Sequence, residues 1–173
     1  QRQMCIRDSY SSVDLAEAGV YAYVEAPDFD ILLISYIFDD WGEDNVKTID
    51  CFDADPDMMA EFCEALLDPQ IVKTAFNANF ERTCLAKWLQ KPMPPEEWRC
   101  TMVKALTLGL PGNLAGAGEA LGLPPEKLKD PQGKALIQFF SKPCKPTRTN
   151  GQRTRNLPQH DPAKWLSLIH ISE

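Results

Sequence analysis

With 173 residues, 44% of them apolar, and a formal net charge of −7, the chain is long enough for one domain with a real core and too short for two. It has no apolar run approaching the ~20 residues of a membrane span, and the N-terminal QRQMCIRDS lacks the apolar centre of a secretory signal. Cys5, Cys51, Cys63, Cys84, Cys100 and Cys144 include no Cys-x-x-Cys pair, and His160 and His170 stand apart from any cysteine cluster, which argues against a zinc site or disulfide framework and for reduced thiols in a cytoplasm.

In chain order, Asp14 to Val24 reads as a turn and a short helix with Tyr21 and Val24 on one face. ILLISYIF, Ile31 to Phe38, is a near-continuous apolar run of the length of a central strand. DDWGEDN supplies turn chemistry before Val46 to Asp50, so the two segments are predicted to form an antiparallel hairpin. Pro56 opens a helix in which Met59, Phe62, Cys63, Leu66 and Leu67 recur every three to four residues, closing at Asp68-Pro69.

Ile71 to Phe76 is a short β-prone run, and Cys84, Leu85, Trp88 and Leu89 then recur at helical spacing. Asn77 and Asn79 lie between, where an asparagine oxygen can cap a helix, and Glu81 falls near the positive end of that helix dipole. PMPPEEW is a connector, Trp98 to Cys100 a short strand, and TMVKALTLGL a helix closed by Pro111-Gly112. Leu114 to Leu121 and Lys134 to Phe140 are two further helices, separated by a proline-bearing turn from Leu123 to Pro131. A hairpin followed by alternating strands and helices implies α/β architecture, a mixed sheet flanked by helices.

Charge is segregated. From Tyr10 to Asp68 sixteen acids face only Lys47, a balance of −15; from Phe140 to Trp165 the balance is +5. Such a division lets one face follow a phosphate backbone while another repels it, although composition alone equally allows a solvated loop rich in Pro, Thr and Asn.

The stretch Asn77, Ala78, Asn79, Phe80, Glu81 resembles the second motif of the DEDD 3′–5′ exonucleases. The longer phrases YSSVDLAEAGVYAYVEAPDFDILLISY, FNANFERTCLAK, WRCTMVKALTLGLPGNLAGAGEALGL and SKPCKPTRTNGQRTRNLPQHDPAKW resemble the proofreading domain of bacteriophage-type family A DNA polymerases. The resemblance covers residues 9–166. It implies an RNase H-like fold and hydrolysis of nucleotides from DNA 3′ ends. Two divalent ions, Mg²⁺ or Mn²⁺, would be held by carboxylates and would steady the attacking and leaving oxygens.

The family's first motif is Asp-Ile-Glu-Thr, and here the corresponding residues read Ile6, Arg7, Asp8, Ser9. The third motif, Tyr-x-x-x-Asp, has no counterpart in WLSLIHISE. Residues 1–8 and 167–173 look like translated sequencing adapter flanking a truncated exonuclease domain. The fold is therefore expected to be incomplete at its first strand and its last helix.

By resemblance, Glu81 and Asp8 are the catalytic and metal-binding acids, and Asn77 and Ser9 lie near the terminal nucleotide. Phe80 is expected to pack under its helix. Arg148, Arg153 and Arg155 are read as contacts to the DNA backbone, and Trp41, Trp88 and Trp98 are considered for base stacking. The implied partners are a single-stranded DNA 3′ end and a polymerase domain in cis, with no membrane, in a bacterial host cytoplasm. Two acids leave two cations under-neutralised, so weak metal binding and impaired cleavage are expected of this chain. The competing readings are a degenerate exonuclease-like module that holds DNA without cutting it, and a standalone or RNA-directed relative.

Overall fold

The computed structural model describes residues 2–38, 45–124 and 131–172. Among these residues the elements run β1 (Arg2–Tyr10), α1 (Leu15–Glu25), β2 (Asp30–Phe38), β3 (Lys47–Asp50), α2 (Pro56–Leu67), β4 (Lys73–Ala75), α3 (Ala78–Leu89), β5 (Trp98–Cys100), α4 (Thr101–Thr107), α5 (Leu114–Ala120), α6 (Pro131–Ser141) and α7 (Pro162–Ser172). The strands make one sheet in the order β3-β2-β1-β4-β5. β1 is antiparallel to β2, β2 is antiparallel to β3, and β1, β4 and β5 are mutually parallel. The mixed α/β expectation is thus met, and the β2–β3 hairpin pairs Leu33 with Asp50 and Tyr36 with Lys47. Of its predicted turn at residues 39–45, residues 39–44, Trp41 included, lie outside the described residues, as does most of the turn before α6.

β2 is apolar along most of its length because it is covered on both sides. Ile34, Tyr36 and Phe38 join a core with Phe62 and Leu66 of α2 and Leu85 of α3, while Leu32 and Leu33 join Tyr10, Phe140 of α6, and Trp165 and Leu168 of α7. Full burial of each such side chain contributes ~1.5–3 kcal/mol relative to exposure. The sheet is therefore the middle of three layers.

One expectation is corrected at the chain ends. The first strand is present: β1 pairs with β2 from Arg2↔Phe38 to Tyr10↔Asp30 and occupies the sheet's centre. A long apolar strand such as β2 requires partners along both edges, and ladder formation uses backbone groups that any residue but proline supplies. At the other end, α7 continues from Pro162 through the adapter-like residues to Ser172, with Leu168 buried.

Local chemistry explains the better-read elements. Asp55 caps α2 by accepting from the Asp57 and Met58 N–H groups at 2.9 Å each, ahead of Pro56 in the first turn. In α1, Gly19 is non-helical, at φ 76° and ψ 167°, and shifts the phase of the helix. Tyr23 and Val24 are consequently the buried pair, whereas Tyr21, expected on that face, is 64% exposed. Lys73 is wholly buried in β4, where its ammonium donates to Glu97 Oε2 and the Asp68 carbonyl, each at 2.7 Å. A buried charge persists only when paired in this way, and the pair fixes the strand that launches α3.

No helix among the described residues is long and apolar enough to cross a membrane.

Candidate functional site

Asp8 and Glu81 reach the same end of the sheet by different devices. β1 carries register shifts on both sides of Asp8, between Ile6 and Asp8 and between Asp8 and Ser9. Bulges of this kind bend a strand and re-aim a side chain, and Asp8 is turned into the interior at 3% exposure. Its Oδ1 accepts from the Ser141 hydroxyl at 3.4 Å.

Glu81 lies in the first turn of α3, the helix that follows the parallel neighbour β4. The sharp strand-to-helix turn is made by Asn77 in the left-handed region, φ 68° and ψ 49°, with no capping bond from its side chain. Asparagine tolerates that conformation better than most residues. The capping expectation is thus corrected, and Asn77 is exposed.

Glu81 is 4% exposed, and its Oε2 has no hydrogen-bond partner. Burial pushes its carboxyl up to about 8, against a smaller opposing effect of a backbone hydrogen bond. Burial, and then the adjacent Glu81, also raise the Cys84 thiol. Tyr23 stands close to Asp8, and its hydroxyl bonds Ser9 Oγ at 3.0 Å. Burial lifts its phenol to about 12, with smaller upward contributions from Cys84 and Asp8.

A cleft of about 630 Å³ opens here, lined in part by Asp8, Ser9, Tyr23, Phe80, Ile137 and Lys142. Phe80 does more than pack under its helix. It lines this cleft while its ring lies 6.3 Å from that of Tyr23. Glu81 is buried and does not line the cleft. Among the described residues no group of three or more His, Cys, Asp or Glu side chains is placed to hold a metal ion. Two carboxylates are short of the donors and the charge that two magnesium ions require.

The basic segment after α6 is internally braced. Asn150 accepts from the Thr147 N–H at 2.9 Å and donates to the Lys145 carbonyl at 2.9 Å, and the Cys144 N–H donates to the Thr154 carbonyl at 2.8 Å. Arg148 is exposed on this loop. Arg153 is half-buried and donates to Asn156 Oδ1 at 2.8 Å.

Arg155 is turned inward: it pairs with Asp30 at 3.1 Å and stacks on the Tyr10 ring at 4.1 Å. These three cations are therefore not equivalent. Of the stacking candidates, Trp98 is buried and Trp88 half-buried, both in the core around α3. Sequence reasoning missed Tyr23, Asp14, Ser141 and Lys142, because only the fold brings α1 and the end of α6 to the β1 exit.

The chain is 58% identical over 158 residues to a protein named DNA polymerase from Bacillus phage SP02, a match that takes in 91% of this chain and 24% of that protein. The chain thus spans about a quarter of the length of the relative it matches. No family model and no solved structure matches it.

Proposed function

We propose that the chain is the 3′–5′ proofreading exonuclease portion of a bacteriophage-type DNA polymerase, RNase H-like in fold, with the polymerase in cis. One observation carries this reading. Two buried acids, Asp8 on a doubly bulged strand and Glu81 at the exit of the adjacent parallel strand, stand at the carboxyl ends of the strands beside a cleft. Open α/β sheets bind ligands at that end. The similarity to a phage protein named DNA polymerase points the same way.

In this reading a DNA 3′ end enters the cleft, its last base against Phe80 and Tyr23, with the Ser9 hydroxyl near the terminal sugar and Asn77 at the approach. Mg²⁺ or Mn²⁺ would supply the charge that phosphodiester hydrolysis needs. The two acids do not make a complete site for two such ions. Trimming of single-stranded DNA from the 3′ end with Mg²⁺ or Mn²⁺ is therefore expected to be slow, and Glu81→Ala is expected to abolish what remains. Brisk trimming that survives Glu81→Ala overturns the assignment.

The short acid inventory also favours a second reading, a module that holds DNA without cutting it. DNA binding in EDTA, with no trimming when metal is restored, selects that alternative.

Backbone contacts give a separate test. Neutralising Lys145 and Arg148, both exposed, is expected to reduce the slope of log affinity against log salt by roughly 0.7 per residue. An unchanged slope removes the loop from the DNA path. Arg155→Ala is a poor probe of that path, because it also breaks the Asp30 pair and the Tyr10 contact.

A further inference from the structure

Lys142 is the one cation among the described residues lining the cleft, and it sits against an acid 128 positions away in sequence. Its ammonium lies 3.1 Å from Asp14 Oδ2, with side-chain exposures of 58% and 39%. The two oxygens of Asp14 have separate partners. Oδ1 caps α1, accepting from the Ala16 N–H at 2.8 Å and the Glu17 N–H at 3.4 Å, while Oδ2 faces Lys142. Much of the remaining lining is apolar: Val13, Leu15, Phe80, Ile137 and Pro143.

We propose that Lys142 receives a phosphodiester of a DNA strand entering the cleft, and that Asp14 occupies it as an exchangeable anion while the cleft is empty. The inference rests on the nucleic-acid reading of this cleft and adds to it a specific binding residue and its competitor. Beside Asp8, Asp14, four serines, Tyr23 and the apolar side chains of this lining, Lys142 is the place where an anionic backbone gains electrostatically instead of being repelled. Exposed ion pairs are weak and screened, so Asp14 yields readily to a phosphate oxygen. The Lys142 hydrogen bond also holds Asp14 ionised, below the usual carboxylate range, as does the cap.

The chemistry allows the two roles of Asp14 to be separated. Asparagine caps helices as well as aspartate does, so Asp14→Asn keeps the helix start and removes only the charge facing Lys142. Binding of a short fluorescein-labelled oligothymidylate to the full chain in EDTA, followed by anisotropy, is the measurement.

Asp14→Asn is expected to tighten binding about three- to fivefold, and Lys142→Gln to weaken it by a similar factor. Lys142→Gln should lower the salt slope by roughly 0.7, Lys142→Arg should restore both affinity and slope, and Asp14→Asn should gain nothing in the Lys142→Gln background. Oligonucleotide binding that Phe80→Ala weakens but neither Asp14 nor Lys142 variants change overturns the proposal and leaves the exonuclease reading standing. No binding by any variant at low salt overturns both.

Discussion

Replacing Glu81 by glutamine is expected to stabilise the metal-free protein by about 2–4 kcal/mol at pH 9 and to flatten its stability profile below that pH. The folded carboxyl titrates at about 8 because it is buried, against an ordinary value of 4.5. Between those two values the native state holds a proton that the unfolded chain has released. Stability therefore falls as pH rises through the window and is fully reduced above about 8.

Glutamine keeps the shape and removes the titration, although its amide still needs partners, which lowers the gain. Urea denaturation at pH 5, 7 and 9 reads the effect. Parallel wild-type and variant profiles would show that Glu81 is ionised and solvated in the folded protein. A residue whose replacement stabilises the fold while removing trimming would be one kept for function.

Trp165→Ala is expected to cost about 3–5 kcal/mol, the range for truncating a buried tryptophan, and to lower the melting temperature by roughly 10 °C. Trp165 is 4% exposed. Its ring stands edge-on to Phe140 at 4.9 Å and to Phe52 at 5.6 Å, and its Nε1 donates to Asp50 Oδ2 at 2.7 Å. The indole therefore fastens α7 to α6 and to the end of β3. Trp165→Phe keeps a ring in place and loses the Asp50 bond, with an expected cost of about 1 kcal/mol. Thermal melts that match wild type for both variants would mean that α7 is not docked on the sheet.

Elements whose information is local were legible. α2 announces itself through Asp55, Pro56 and a helical apolar spacing, and the β2–β3 hairpin through a strand too apolar to be anything but central. The phase of α1 was misread because Gly19 at positive φ breaks the periodicity that assigned Tyr21 inward. β1 was misread for a different reason. Its residues match no motif, yet its place depends on backbone pairing with β2, to which side-chain identity contributes little.

The site was half legible. Glu81 followed from a strand-to-helix junction that the sequence displays, while the aim of Asp8 depends on two bulges that no pattern of residues announces. The division of labour among the arginines was hidden too, because Arg155 meets Asp30 and Tyr10 only after the chain has closed on itself.

The join between β1 and β4 is narrow: among the described residues, Arg2↔Lys73 and Gln3↔Thr74 are the pairs in register. Asp8 belongs to one side of that join and Glu81 to the other, and α3 also packs on β1, β2 and α1, so the gap between the two carboxylates is set by that packing as well as by the ladder. Short ladders yield before long ones, and β1 is held to β2 along nearly its whole length. The two acids thus stand on one packed unit, in which the short seam between their strands is braced by the core that α3 shares with β2.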